Sequence, residues 1–125
     1  MAHKILYIED NPQNMRLVRK MLGVGGYEIF EALTGELGLK MAQLHLPDLI
    51  LMDINLPDID GLEVTARLKA DPATAKIPVV ALTANAMHGD KERFTDGGCD
   101  GYLAKPVTRN ELLNTVAYFL ADSVI

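Results

Sequence analysis

Five chemically active side chains follow four separate apolar runs of this sequence. They are Glu9 and Asp10 after residues 5–8, Asp53 after 49–52, Thr83 after 79–82 and Lys105 after 102–104. In an open sheet of parallel strands, ligands bind outside the carboxyl ends of the strands, where the strand order reverses. If the four runs are parallel strands, we expect these five groups to meet in one shallow cleft.

The three carboxylates favour a divalent cation. Neighbouring carboxylates repel one another, so one of them should take up a proton unless a cation compensates. Mg²⁺ prefers one or two carboxylates, several waters and a phosphate oxygen in octahedral geometry. We predict that Asp10 and Asp53 bind Mg²⁺ directly, that Glu9 acts through a water, and that the main-chain carbonyl of Asn55 also reaches the ion.

Asp53 can also act as a nucleophile, because a carboxylate oxygen that attacks phosphorus forms an acyl phosphate. Phosphoryl transfer depends mainly on positioning and charge neutralisation, which Mg²⁺ and Lys105 would supply from opposite sides. The hydroxyl of Thr83 and the amides of Asn55 and Ala84 can hold the phosphoryl oxygens. An acyl phosphate decays in water, and such a transient mark is typical of a signal.

Short apolar runs alternate five times with segments of helical periodicity, which predicts an α/β fold with a parallel sheet and helices on both faces. We predict strands at 4–8, 27–31, 48–53, 77–82 and 101–104. Right-handed crossovers, with two helices on one face and three on the other, give the flavodoxin-like strand order 2-1-3-4-5. The switch point then lies between the first and third strands and makes Glu9 and Asp53 neighbours.

Capping residues mark the starts of four helices, at Asn11 with Pro12, at Thr34, at Asp60 and at Thr108 with Glu111. The first helix has a predicted inward stripe of Met15, Val18 and Leu22, and the last has a stripe of Leu112, Val116, Phe119 and Leu120. The second helix carries Leu37, Met41 and Leu44, and the third has Leu62, Ala66 and Lys69 along it. The fourth helix, within 86–96, begins with poor helix formers. We expect it to be the least stable helix.

Chain length, net charge and cysteine content limit the classes of function that this sequence can have. A chain of 125 residues predicts one domain over 1–125 with no output domain, and its net charge of −5 argues against direct nucleic-acid binding. The single cysteine, Cys99, excludes an intramolecular disulfide and suits the reducing cytoplasm, where we expect the protein to reside. No apolar run approaches the ~20 residues of a membrane span.

Five motifs occur in order at specific intervals, at 9–11, 48–53, Pro57 with Gly61, 78–84 and 101–106. On these motifs the chain resembles a response-regulator receiver domain over essentially its whole length, and it is most similar to stand-alone DivK-type cell-division regulators. The resemblance implies that Asp53 is the phosphoacceptor, that Glu9 and Asp10 bind metal, and that Thr83 and Lys105 contact the phosphoryl group.

The resemblance also implies a cis peptide before Pro106 and a switch in which Thr83 moves toward the phosphoryl group while Tyr102 turns inward. The surface that changes would be the face formed by the fourth helix, the fifth strand and the fifth helix. The expected partners are a histidine kinase or a histidine phosphotransfer protein, and a downstream protein. Such a domain assists its own phosphorylation and dephosphorylation and is not an enzyme with a separate substrate.

The main alternative is a small Mg²⁺-dependent phosphohydrolase of the haloacid dehalogenase type. That class carries its nucleophile after the first strand with a second acid two residues later, whereas here Asp53 follows the third strand and Asn55 stands two residues on. A flavodoxin-like binding module needs hydroxyls and glycine after its first strand, where this chain has acids that would repel phosphate.

Overall fold

The computed structural model describes residues 2–84 and 90–121 of the chain. The strands are β1 (Lys4–Ile8), β2 (Glu28–Ala32), β3 (Leu49–Asp53), β4 (Val79–Thr83) and β5 (Gly101–Ala104). The helices are α1 (Pro12–Val24), α2 (Gly35–His45), α3 (Gly61–Ala70), α4 (Asp90–Asp96) and α5 (Arg109–Ala121). The predicted beginning of the fourth helix, at 86–89, lies outside the described residues. None of the described helices is long and apolar enough to cross a membrane.

The five strands form one parallel sheet in the order β2-β1-β3-β4-β5, which confirms the predicted topology. The bounds of β1 and β5 are as predicted, and those of the other three strands differ from the predicted ones by one or two residues. At the switch point Ile8 of β1 pairs with Met52 of β3, so the next residue of each strand is an acid. The register of the sheet therefore places Glu9 beside Asp53.

Alternate residues of the strands face two separate apolar clusters, as the pleat of a sheet requires. One cluster contains Leu6, Ile8, Ile50, Met52, Val79, Ala81 and the buried residues of α2, α3 and α4. The other contains Ile5, Tyr7, Leu49, Leu51, Val80, Leu82 and the buried residues of α1 and α5. The sheet is thus covered on both faces, which explains why β3 and β4 are buried along their whole length.

Each of the four predicted caps is present. Asn11 Oδ1 accepts from the amides of Gln13 and Asn14, Thr34 Oγ1 from that of Leu37, Asp60 Oδ1 from that of Leu62 and Thr108 Oγ1 from that of Glu111. These side chains satisfy amides that have no partner within the first helical turn. Local sequence signals therefore fixed the helix starts correctly.

The stripes predicted for α1 and α5 are confirmed, whereas of the three residues named for α2 only Met41 packs against the core. Leu37 and Leu44 of α2 are 41% and 76% exposed, and the residues that it buries are the small Gly35, Gly38 and Ala42. A β-carbon at Gly38 would lie 2.4 Å from Ile8 Cδ1, so this helix lies very close to β1. The fully buried positions carry small residues because the close approach leaves no room for large ones, and Leu39 and Met41 are only partly buried against the core.

In α3 the residues named from the sequence have different environments, since Leu62 packs partly buried against the core and Ala66 is exposed. Its buried residues are Gly61, Val64, Thr65 and Leu68. Lys69 donates from Nζ to the carbonyls of Ala75 and Ile77 and to Asp100. The buried Thr65 hydroxyl donates to the Gly61 carbonyl, and Cys99 is a buried free cysteine, as the sequence predicted.

Two glycines in helices offer a matched test of this packing. Gly38→Ala should lower the free energy of unfolding by about 1–3 kcal/mol, because the new methyl group overpacks against Ile8. Gly23→Ala in α1 has no atom within 4 Å of its β-carbon and should raise stability by up to ~1 kcal/mol through helix propensity. Urea unfolding of both variants measures the difference. Equal stabilisation by both would contradict the close approach of α2 to β1.

Candidate functional site

The three predicted acids meet at the carboxyl ends of β1 and β3. One oxygen from each of Glu9, Asp10 and Asp53 can be chosen so that all lie within 4.8 Å of one another. Glu9 and Asp53 are buried, while Asp10 is exposed at the mouth of the cluster. Three hard oxygen donors at this spacing, one of them open to solvent, fit a Mg²⁺ ion that keeps several of its waters.

Lys105 bridges the two buried acids. Its Nζ donates to Glu9 Oε1 at 2.8 Å and to Asp53 Oδ1 at 3.2 Å. Its amide donates to the carbonyl of Thr83 at 2.7 Å, which extends the pairing of β5 with β4 beyond the last strand residue. The peptide bond between Lys105 and Pro106 is cis, as expected. A single ammonium group therefore hydrogen-bonds to two buried carboxylates.

The ionisation of the two buried acids is coupled. Burial, and then the adjacent Glu9, raise the pKa of Asp53 to about 6, although Lys105 and the Asn55 amide act in the opposite direction. Burial also opposes ionisation of Glu9, but hydrogen bonds, foremost that from Lys105, hold the pKa of Glu9 below its usual range. Glu9 is thus the ionised member of the pair, and ionised Asp53 needs a further cation.

Main-chain amides orient the carboxylates. The amide of Asn11 donates to Glu9 Oε2 at 3.2 Å, and the amide of Asn55 donates to Asp53 Oδ1 at 3.2 Å. Each amide lies two residues after the acid that it contacts, within the turn that leaves the strand. Hence the loop after β1 and the loop after β3 each hold their own carboxylate.

Tyr7 belongs to the site although the sequence did not single it out. Its buried hydroxyl donates to Glu9 Oε1 at 2.9 Å, on the oxygen that Lys105 also contacts. Burial, and then the charge of Glu9, raise the pKa of the Tyr7 phenol far above its ordinary value, so it remains a donor. The sequence signal that could have identified Tyr7 is its spacing of two residues from Glu9, because residues two apart in a strand face the same side.

The Thr83 hydroxyl and the Ala84 amide lie at the carboxyl end of β4, the strand next to β3. Leu82 of β4 pairs with Asp53, so Thr83 follows directly beside the acid. Thr83 is buried, whereas Ala84 is exposed. The sheet register therefore brings both to the side of Asp53 that faces β4.

The structure does not bring Tyr102 into this cluster. Tyr102 lies within β5, is 37% exposed, and its ring centroid is 5.8 Å from that of Phe94 in α4. The Tyr102 ring thus contacts α4 and not the acids. The inward turn that the resemblance implies would require this ring to move.

Gly61 keeps the loop after β3 close to the site. A β-carbon at this position would lie 2.5 Å from the carbonyl oxygen of Asp53, and the Gly61 amide donates to the Ile54 carbonyl at 3.0 Å. The same loop is held to α2 by Asp58, whose carboxylate accepts from the amides of Gly35 and Glu36 at 2.8 and 3.0 Å. These amides lower the pKa of Asp58.

Residues 5–117 match the response regulator receiver domain family, and the chain belongs to this family. It is 44% identical over 123 residues to the polar-differentiation response regulator DivK of Brucella ovis, which covers 98% of this chain and 100% of that regulator. The predicted likeness to DivK-type regulators is therefore confirmed.

Solved structures show the same fold. A response regulator from Chloroflexus aurantiacus is 32% identical, with a TM-score of 0.92 and coverage of 97% of this chain and 99% of that one. The receiver domain of a sensor histidine kinase from Pseudomonas aeruginosa PAO1 is 36% identical, with a TM-score of 0.90 and the same coverage, and has a magnesium ion coordinated in its active-site cleft. The comparisons give no support to the haloacid dehalogenase alternative.

Asp53→Asn should stabilise the metal-free protein above pH 6 by about 1–3 kcal/mol. The pKa of Asp53 rises from an ordinary 3.8 to about 6 on folding, so the native state binds this proton more tightly than the unfolded state does. Its ionisation therefore costs stability as pH rises from about 4 to 6. Urea unfolding in chelator should show a difference between the two proteins that grows over this range. A pH-independent difference would contradict the raised pKa.

Proposed function

We propose that this chain accepts a phosphoryl group on Asp53 in a two-component or phosphorelay pathway. The observation that carries the proposal is the position of Asp53, buried between the ammonium group of Lys105 at 3.2 Å and the two acids Glu9 and Asp10. A reactive oxygen between an ammonium group and a set of metal-binding acids suits phosphoryl transfer, which relies on positioning and charge neutralisation.

Mg²⁺ is the cofactor of the proposed reaction. Asp10, Asp53 and the main-chain carbonyl of Asn55 would bind the ion directly, and Glu9 would act through a water. Support comes from the spacing of the three acids and from the magnesium in the Pseudomonas receiver domain. When bound, the ion supplies positive charge beside the reacting oxygens.

The phosphoryl donor in this proposal is a phosphohistidine of a histidine kinase or phosphotransfer protein. An Asp53 oxygen attacks phosphorus, the new P–O bond forms as the P–N bond breaks, and the imidazole leaves with the electron pair of that bond. Lys105, the Thr83 hydroxyl and the amides of Asn55 and Ala84 hold the phosphoryl oxygens. Water later cleaves the acyl phosphate and restores Asp53, so the chain assists both steps without a separate substrate.

Phosphorylation would act on partners through the face formed by α4, β5 and α5. The new charge draws the Thr83 hydroxyl inward, and Tyr102 occupies the space that Thr83 leaves. Support comes from the placement of the two residues, because Thr83 lies beside Asp53 and Tyr102 lies on the edge strand in contact with α4.

We further propose that residues 1–125 form one receiver domain, whose signal passes through protein contacts in the cytoplasm. Support comes from the DivK relatives, which this chain covers over their full length. Those relatives are polar-differentiation response regulators, and we extend a cell-cycle role to this chain on that basis. Its partners are then a kinase or phosphotransfer protein and a downstream protein target.

The primary test is intact-mass measurement after incubation with acetyl phosphate. The wild type should gain the mass of one phosphoryl group with Mg²⁺ and little without it, because the ion neutralises the reacting oxygens. Asp53→Asn should gain none, whereas Asp48→Asn, which removes a carboxylate just before β3, should label like the wild type. Labelling that persists in Asp53→Asn would identify another acceptor, and turnover of small phosphate esters would revive the phosphohydrolase.

A second test separates labelling from signalling. Lys105→Ala should retain some phosphorylation but lose the coupled change in partner binding. The reason is that Lys105 directly follows β5, so its contact with the phosphoryl group transmits the new charge to that strand. Hydrogen exchange with and without a phosphate analogue should change over 84–96 and 102–110 in the wild type and much less in the variant. Unchanged exchange in the wild type would rule out this switch surface.

A further inference from the structure

The buried hydroxyl of Tyr7 has no assigned part in the proposed phosphoryl transfer. We propose that Tyr7 is a positioning residue, whose hydroxyl holds the Glu9 carboxylate in its metal-binding orientation when Lys105 moves to the phosphoryl group. This inference rests on the proposed function, since it concerns the same acidic site. It adds one residue to the machinery and states what that residue does.

The two donors to Glu9 Oε1 differ in how firmly they are held. Tyr7 is fully buried, and its ring packs in the apolar cluster between the sheet and helices α1 and α5. The Tyr7 hydroxyl is therefore fixed by a rigid ring with only two side-chain torsions. The Lys105 ammonium group ends a flexible four-carbon chain and is shared between Glu9 and Asp53.

The Lys105 side chain is not enclosed by close packing on every side. A cavity of about 280 Å³ lies beside it, lined by Tyr7, Leu82, Pro106 and Val107 among others. A phosphoryl group on Asp53 carries new negative oxygens, which attract the ammonium group away from Glu9. When Lys105 leaves, the Tyr7 hydroxyl at 2.9 Å remains on Glu9 Oε1.

Retention of this donor matters because Glu9 is buried. A buried carboxylate oxygen that loses its hydrogen-bond donors bears a full desolvation cost, and its side chain rotates to find others. Partners that orient the ligands of a metal site typically change metal affinity by about 10–100-fold when they are removed, and we expect the lower end of this range because Glu9 would hold the ion through a water. Tyr7 would thus keep the metal-binding geometry the same before and after phosphorylation.

Tyr7→Phe tests the proposal, because it removes one hydroxyl and preserves the ring. Calorimetric titration with MgCl₂ alone, without a phosphoryl donor, should show about tenfold weaker binding than the wild type. Val116→Ala, which removes volume from the same apolar cluster, should lower the melting temperature and leave the Mg²⁺ dissociation constant unchanged. Tyr118→Phe, at an exposed position of α5, should change neither quantity.

The dependence on Lys105 is the more specific readout. In a Lys105→Ala background Tyr7 is the remaining side-chain donor to Glu9 Oε1 among the residues that the structure describes. Tyr7→Phe should therefore weaken Mg²⁺ binding more in that background than in the wild type. An equal fold-change in the two backgrounds, or equal Mg²⁺ binding by Tyr7→Phe and the wild type, would overturn the positioning role.

These results also separate the inference from the proposed function. If the wild type binds Mg²⁺ and labels on Asp53 while Tyr7→Phe does the same with unchanged constants, only the role of Tyr7 fails. If the wild type binds no Mg²⁺ and takes no label, the proposed function fails and the positioning role fails with it.

Discussion

The contact of one lysine with two buried carboxylates is the interaction on which the rest of this structure depends. Glu9 and Asp53 lie at adjacent strand ends, and Lys105 donates to both. One positive charge cannot balance two negative ones, and burial together with the adjacent Glu9 raises the pKa of Asp53 to about 6. The excess negative charge favours binding of a divalent cation. The same arrangement places an Asp53 oxygen beside the ammonium group of Lys105.

The sheet makes this unfavourable arrangement possible. Its three central strands, β1, β3 and β4, are almost wholly buried, and their register fixes where each strand ends. Close packing at Gly38 and Gly61 leaves α2 and the loop after β3 little freedom near the acids. In contrast, Tyr102 lies in β5 and Lys105 directly follows it. Among the described strands, β5 is an edge strand that pairs only with β4. The site therefore combines acids on well-packed strand ends with a lysine on the less constrained side of the sheet, and the Tyr102 ring lies outside the site on that same side.

Local chemistry explains which predictions succeeded. The helix caps at Asn11, Thr34, Asp60 and Thr108 depend on bonds within three residues, so the sequence shows them directly. The strand order followed from general rules of chain connection, and the acids of the site followed from their positions after apolar runs. The inward face of α2 could not be found in this way, because Gly35, Gly38 and Ala42 contribute little to a hydrophobic pattern.

The sequence by itself thus determined the family, the strand order and the identity of the main charged groups, because these depend on residue types at fixed spacing. Only the tertiary structure decided which oxygen each donor contacts. Lys105 reaches Glu9 across 96 positions of sequence, and Tyr7 points its hydroxyl at the same oxygen from two positions away. Such contacts cannot be inferred from the apolar periodicity of a chain, because helix packing and sheet register determine them over distances of a few ångströms.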